Sequence, residues 1–498
     1  MSRPSTGDLI AGVSVALVAI PQSLAYAELA GLPPHYGLYA TALPSLLAAF
    51  FVSSRYLQTG PVALTALLTL GALSGVAEPG GAAYIQSAAL LALLVGVIRV
   101  LLGVARMGRV AYVLSEPVVT GFTAGAAVVI IASQLPKIFD VYPDGQVLAA
   151  AVRALGRPDE WRWSAIAFAA ITVCLMLGGR HIHRLFPGVL VAVIAGVILA
   201  GTSDYAGSQV GDLDGGFIPL SLDFPWSEAP GLLLPAAVIA LVGFAEPASI
   251  ARTYAAADRL PWNANREMVS QGVANLASAV SGAFPVGGSF SRSSLNRMAG
   301  ATSPWSGAIT GAFVLAVLPL AFLLEDLPTS VLGVIVIVVV VRLVDIKEIM
   351  RLPWGSFPQA LVGAGTTFAT IGFAPRVERG VLVGIGLAIA VHLYREMQVI
   401  TPAERNHETL TVRPKGVMWF ATVPQVERSV REELATERDL TSVVIDLSGV
   451  GRLDYSGAVA LRRIIERMSA GGVRVVVAGI PPSASGAVRA ELEGYESV

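Results

Sequence analysis

The stretch Phe284-Pro-Val-Gly-Gly-Ser-Phe-Ser-Arg-Ser-Ser-Leu-Asn296 decides how this chain is read. It lies among long apolar segments, yet it is rich in glycine and hydroxyl side chains and carries Arg292. Hydrocarbon tolerates irregular backbone or a charge only where protein or a water-filled cavity surrounds it. Gly287 and Gly288 followed by serines read as a broken segment that opens into a short helix. The first turn of such a helix presents free N–H groups and a partial positive charge, the makings of an anion site. The other reading is a cytoplasmic loop, with Arg292 an ordinary positive-inside residue.

The composition around this stretch sets the class. Of 498 residues, 54% are hydrophobic and 14% charged, against about 25% charged in soluble domains. A polytopic α-helical membrane protein in a lipid bilayer follows. A net charge of −1 leaves no broad basic surface for nucleic acid. The single cysteine, Cys174, excludes an internal disulfide and a cysteine metal cluster, and neither a metal nor another cofactor is expected. There is no Walker-type nucleotide loop for ATP-driven pumping. No Ser/His/Asp arrangement supports hydrolysis, so an enzyme is not expected. No basic, apolar, cleavable pattern precedes Leu9, so no removable leader is expected either.

Spans of roughly 20 apolar residues, fewer where a helix is broken, are predicted at 9–27, 37–51, 61–76, 84–102, 118–133, 163–177 and 189–201. Further spans are predicted at 232–249, 269–282, 289–299, 304–324, 330–341, 357–372 and 381–393. This makes about fourteen, with those starting near Pro61 and Ser289 too short to cross alone. With the N-terminus inside, Arg55, Arg106, Arg109, Arg180, Arg184, Arg252, Arg259, Arg342, Lys347 and Arg351 fall in the cytoplasm. The acidic loop 204–228 falls outside, and so do Arg153, Arg157 and Arg162, which break the pattern. An even number of spans returns the C-terminus to the cytoplasm, and the cell's inner (plasma) membrane is the expected location.

The chain also repeats itself. Residues 7–22 can be laid on 231–246 at a constant offset of 224 positions, with Ala16-Leu17-Val18 on Ala240-Leu241-Val242 and Gln22 on Glu246. At the same offset Pro61-Val62 falls on Pro285-Val286. Seven spans per copy is odd, so the second copy is inverted in the membrane: repeats at about 7–201 and 231–394. Inverted repeats with broken helices in matching positions are the pattern of secondary transporters, whose sites lie where the half-helices meet.

The transmembrane part is thus expected over 1–394, a linker over 395–407, and a small soluble α/β domain over 408–498. Strands are predicted at 409–412, 417–420, 442–446 and 473–477, and helices at 424–438, 456–468 and 487–493.

Several residues in the spans are candidates for chemistry. Gln22 follows Pro21 late in the first span and reads as facing a cavity or as a helix–helix hydrogen bond. Tyr26, one turn on, shares its face or anchors at the interface. Glu246 stands before Pro247. Desolvation favours the protonated form of a membrane-buried carboxyl, which makes Glu246 a candidate proton carrier; a structural ion pair with Arg252 or Arg292 is the alternative. Glu28 is the alternative carrier, or a surface charge. Pro61 marks a helix start, with the amides of Val62 and Ala63 exposed at its tip. Two half-helices starting near Pro61 and Ser289 could aim their positive ends at one anion.

These landmarks resemble the sulfate permease family (SulP, solute carrier family twenty-six), as a bacterial member with a C-terminal STAS domain. The residues that carry the resemblance are Ile20-Pro-Gln-Ser-Leu-Ala-Tyr-Ala27, Pro33-Pro34-His-Tyr-Gly-Leu-Tyr39, Gly60-Pro61, Phe284-Pro-Val-Gly-Gly-Ser-Phe-Ser-Arg292 with Asn296, and Ala299-Gly-Ala-Thr302. The tail stretch Val444-Ile-Asp-Leu-Ser-Gly-Val-Gly-Arg-Leu-Asp-Tyr-Ser-Gly457 is similar to STAS domains. In their phosphorylated relatives a serine follows the aspartate directly. Here Tyr455 does, so Asp454 and Ser456 read as a helix cap.

The resemblance implies core and gate subdomains, a homodimer, and transport of a small anion such as sulfate, bicarbonate or a dicarboxylate like fumarate. It places Gln22, Tyr26, Val62, Glu246, Ser291 and Arg292 at or near that anion; Pro61, Ala63, Ser289 and Phe290, at the two helix starts, complete the candidate substrate-binding set. Some sodium-coupled bicarbonate members carry aspartate and threonine in the eighth span, the neighbourhood that Glu246 and Pro247 occupy here, a departure that favours H+ as coupling ion. Proton-coupled symport by alternating access is the leading expectation, an uncoupled exchanger or channel the alternative. A cytoplasmic partner of the STAS domain is a further expectation.

Overall fold

The computed structural model describes residues 3–109, 115–182, 186–203, 205–213, 216–341, 344, 357–436 and 439–495. Of the residues used to orient the chain, Arg184, Arg342, Lys347 and Arg351 lie outside the described residues, as do Asp204, Asp214 and Gly215 of the acidic loop. The chain divides into two compact units, Met1–Ala388 and Ile389–Val498.

The first unit is helical. Its helices are α1 (Thr6–Leu29), α2 (His35–Phe51), α3 (Ala63–Leu73), α4 (Ala82–Val104), α5 (Glu116–Phe139), α6 (Val147–Leu155), α7 (Trp163–Val173), α8 (Gly179–Ile182) and α9 (Gly188–Thr202). Then follow α10 (Ala229–Ala257), α11 (Ala264–Val280), α12 (Phe290–Met298), α13 (Trp305–Val317), α14 (Thr329–Val341), α15 (Phe357–Gly372) and α16 (Glu378–Glu396), the last running into the second unit. A π-helical turn, Cys174–Gly178, joins α7 to α8. Helix α6 was not expected: its nine residues are too few to give a spanning signal. Among the described residues, five helical stretches are long and apolar enough to cross a membrane: Thr6–Leu29, Ala82–Val104, Glu116–Phe139, Trp226–Ala257 and Trp305–Leu324.

Two strands of two residues interrupt the helices. β1 (Thr59–Gly60) and β2 (Gly287–Gly288) pair antiparallel, Thr59 opposite Gly288 and Gly60 opposite Gly287. Each strand leads into a short helix, α3 or α12. At 1.5 Å per residue these are only ~16 Å and ~14 Å long, half the hydrocarbon thickness. Around the crossing, α1 packs on α2, α3, α12 and α13, while α10 packs on α3, α4, α12 and β2. A second group, α5, α7, α9, α14 and α15, packs mainly on its own members.

The start of α1 is fixed by a capping box. Ser5 Oγ accepts from the Asp8 amide at 3.1 Å, and the Asp8 carboxylate accepts from the Ser5 amide at 2.9 Å. The same carboxylate, fully buried, takes the amides of Thr302 (2.7 Å) and Ser303 (2.8 Å) and both hydroxyls. This explains structurally the Ala299–Thr302 motif that carried the resemblance.

The second unit is α/β. A four-stranded sheet runs in the order β3 (Ala403–Asn406), β4 (Thr409–Val412), β6 (Ser442–Asp446), β8 (Arg474–Ala478). β4–β6 and β6–β8 are parallel, and β3 is an antiparallel edge. β5 (Gly416–Met418) pairs parallel with β7 (Val450–Leu453). Helices α17 (Val423–Thr436), α18 (Tyr455–Ala470) and α19 (Gly486–Leu492) complete it, with Val412, Ile445, Val430, Leu461 and Ile465 in its core. β3 lies within 395–407, the stretch read as a linker, and neither β3 nor β7 was predicted. Asp454 caps α18 by accepting from the Gly457 amide at 2.7 Å, as the sequence suggested.

Candidate anion site where two half-helices meet

The crossing of β1 and β2 brings the N-termini of α3 and α12 together. Pro61 and Val62 follow β1 with Val62 extended (φ −136°, ψ 151°), so α3 begins without a side-chain cap and its first amides stay available. Ser289 precedes α12 and accepts from the Arg292 amide at a long 3.4 Å. Val62, Ala63 and Ser289 are buried, whereas Phe290 and Ser291 are exposed, Ser291 Oγ lying 3.3 Å from Ser289 Oγ.

Arg292 joins the two half-helices. Its side chain is buried, and Nη2 donates to the Pro61 carbonyl at 2.6 Å. Gly60 makes room for it: φ is +150°, and a Cβ there would sit 2.9 Å from Arg292 Nη1. Arg292 Nε is buried with no partner among the described residues, and neither has the buried Oε1 of Gln22. A half-turn of the Gln22 amide would offer N–H instead. An unsatisfied guanidinium N–H beside a pair of helix N-termini suits a polar, negatively charged occupant.

Glu246 is partly exposed, and its Oε1 accepts from the Phe290 amide at 3.4 Å. Tyr26, Glu246 and Arg292 lie within electrostatic reach of one another. The structure therefore gathers Tyr26, Pro61, Val62, Ala63, Glu246, Ser289, Phe290, Ser291 and Arg292 around the crossing, while Gln22 lies one turn before Tyr26 on α1, which packs on both α3 and α12. Glu28 stands apart, ion-paired to Lys137 of α5.

Other residues that hold the crossing were not among the candidates. Asn275 of α11 clasps Val286 from both sides, Nδ2 donating to its carbonyl and Oδ1 accepting from its amide, each at 3.0 Å. Gln271 Nε2 donates to Thr59 Oγ1 at 2.8 Å, and Ser45 Oγ to the Thr59 carbonyl at 2.6 Å. The spacing of Gln271, Asn275 and Ser278 marks one polar helix face, a signal that could have been read. Arg99 was missed too, although a lone arginine inside an apolar run is a recognisable signal.

At the mouth, Phe290 stacks on Tyr254 with centroids 6.5 Å apart. Arg297 lies over the rings of Tyr56 and Tyr254, 5.6 and 5.1 Å from their centroids, and pairs with Asp258 at 2.5 Å. Tyr56 and Tyr254 also line a cavity of about 520 Å³ with Ser53, Ser54, Arg55 and Arg266.

Comparison with known proteins finds relatives over nearly the whole chain. The sulfate permease family profile matches residues 6–362, and the STAS domain profile matches residues 401–490. A probable sulfate transporter 4.2 of Arabidopsis thaliana is 30% identical, over 94% of this chain and 75% of its own. A probable sulfate transporter of Mycobacterium tuberculosis is 34% identical, over 78% and 70%. Among solved structures, the murine Slc26a9 anion transporter in the inward-facing state superposes with a TM-score of 0.88 at 20% identity, over 99% of this chain and 88% of its own. The transmembrane domain of the cyanobacterial bicarbonate transporter BicA does so with 0.65 at 23%, over 77% and 97%. By its profile and its relatives, this chain belongs to the sulfate permease family and carries a C-terminal STAS domain.

Proposed function

We propose that this chain is a secondary active transporter of a small anion, a sulfate-, bicarbonate- or dicarboxylate-sized solute. The anion is held between the N-termini of α3 and α12, and H+ is the coupling ion. The observation that carries this reading is the antiparallel β1–β2 crossing, which aims two positive helix ends at one place and sets the buried Arg292 beside them. The family relationship supports anion transport, and the chain is read as a transporter rather than an enzyme. The finer parts of the reading are fourteen spans in two inverted seven-span repeats, a homodimer in the inner membrane with both termini cytoplasmic, and a membrane part over 1–394 separated from the STAS domain at 408–498. Glu246, in contact with the first amide of α12, is assigned as the proton carrier. Glu28 is the less favoured carrier because Lys137 holds it.

The test is uptake of labelled sulfate, chloride, bicarbonate, oxalate and fumarate into proteoliposomes, with and without an inward proton gradient. One anion stimulated by the gradient, with the stimulation lost in Glu246→Gln, supports the reading. Flux indifferent to the gradient assigns the chain to uncoupled exchange or channel behaviour instead.

A further inference from the structure

Arg99 sits in the C-terminal third of α4 and is fully buried. Its Nε donates to the Ala240 carbonyl at 3.1 Å, Nη2 to Ile239 at 3.0 Å and Nη1 to Val286 at 3.0 Å. All three acceptors are neutral backbone groups. Among the described residues, no carboxylate pairs with this guanidinium or acts on it electrostatically. Arg292, by contrast, has Glu246 within reach. A guanidinium stays charged under any working condition, and burying a charge without a counter-ion is costly.

The position of Arg99 suggests where a counter-charge could come from. Ile239 and Ala240 lie on α10 ahead of Glu246, and Val286 adjoins β2, so Arg99 ties α10 to the strand that delivers α12. A Cβ at Gly243 would come 2.7 Å from Arg99 Nη2 and 3.3 Å from the Thr65 methyl of α3. A Cβ at Gly287 would come 3.3 Å from Val62 Cγ2 and 3.6 Å from that same methyl. Gly243 thus sits between the guanidinium and Thr65 in the N-terminal turn of α3, and Gly287 packs on the same turn. A neutral amide, with two N–H donors on one nitrogen, would reach two of the three carbonyls without bringing a charge. The charge is what stapling leaves unexplained.

We infer that Arg99 is a fixed cation behind the anion site, that the transported anion is its counter-charge, and that Arg99 thereby sets the preference for divalent over monovalent anions. Arg99 acts through the site's field and touches no substrate; it is a positioning residue. The inference rests on the reading that the N-termini of α3 and α12 hold the anion.

The test uses the full chain in proteoliposomes and compares KM and maximal rate for a dianion (sulfate, oxalate or fumarate) with those for a monoanion (chloride or bicarbonate). Where one of the pair is not carried, its inhibition constant against the other replaces its KM. In Arg99→Gln the dianion KM is expected to rise roughly tenfold more than the monoanion KM, since the field of a fixed cation acts on each unit of substrate charge. Arg99→Lys should restore the wild-type ratio. Arg99→Met also removes the charge while keeping an unbranched side chain. It should shift the ratio in the same direction, and it serves if the Gln variant does not fold. An unchanged ratio in the folded variants, with both anions slowed alike, reduces Arg99 to a staple and overturns the inference while leaving the transport reading intact. A wild-type chain that carries no anion of the panel overturns the transport reading, and this inference with it.

Discussion

Arg292 Nη2 donates at 2.6 Å to the carbonyl of Pro61, 231 positions earlier in the chain. One side chain thereby links the start of α12 to the start of α3, and it does so from a buried position with a donor, Nε, to spare. Arg292→Ala removes the link and the positive charge at once. Initial uptake rates should fall by tenfold or more, equivalent to about 1.4 kcal/mol or more. Arg292→Lys should restore only part, because a point charge cannot hold Pro61 and face the site in the same geometry. Rates within twofold of wild type in the alanine variant would contradict this role.

Gly60 is the position where backbone and side chain constrain each other most tightly. Its φ of +150° disfavours any residue with a Cβ, and that Cβ would meet Arg292 Nη1 at 2.9 Å. Gly60→Ala should cost about 1–3 kcal/mol of stability. It should also displace the guanidinium, so that uptake falls further than the lost folded fraction explains. Melting temperature of the purified protein and uptake per folded molecule, measured side by side, check both parts.

Asp8 gathers the amides of Ser5, Thr302 and Ser303 on one buried carboxylate. Asp8→Ala leaves these donors unmatched and should destabilise the first unit by about 3–5 kcal/mol. Asp8→Asn should cost less, since one oxygen remains. A thermal midpoint unchanged by the alanine variant would show that water replaces the carboxylate without cost.

In the second unit, the Ser448 hydroxyl and amide, and then the Arg413 guanidinium, hold the Asp446 carboxyl below the usual carboxylate range. A depressed folded pKa means stability that is present at neutral pH. That stability is lost as the pH falls from the unfolded value near 3.9 through the folded one. Asp446→Asn should therefore lower the second unit's melting temperature at pH 7, and the difference from wild type should shrink below about pH 4. A difference independent of pH would assign the effect to packing.

Much of this was legible in the sequence, for reasons that can be named. Long apolar runs announce helices whatever their surroundings, and glycine or proline in matching places announced the breaks at Pro61 and Gly287-Gly288. Glu246 and Arg292 stood out because charge is rare in such runs. What was not legible is whatever depends on pairing across the chain. Nothing near Asn275 says that its amide will clasp Val286, and nothing near Arg99 says that its acceptors lie on α10. The edge strand β3 stayed hidden because its four exposed residues, Ala403–Asn406, show no buried alternation. The ion pair of Glu28 with Lys137 of α5 was hidden in the same way, since 109 positions separate the two.

The central claim is that the transported anion lies between the tips of α3 and α12. The most direct test places a cysteine at Ser291, which is exposed at the tip of α12, after the lone native cysteine, Cys174, has been replaced by serine. The rate at which a negatively charged methanethiosulfonate reagent modifies Ser291→Cys is then measured with and without the transported anion. The account predicts that modification blocks uptake and that saturating anion slows modification severalfold, while a non-transported anion at equal ionic strength does not. Modification at the same rate with the anion present, or uptake that survives full modification, would place the anion elsewhere.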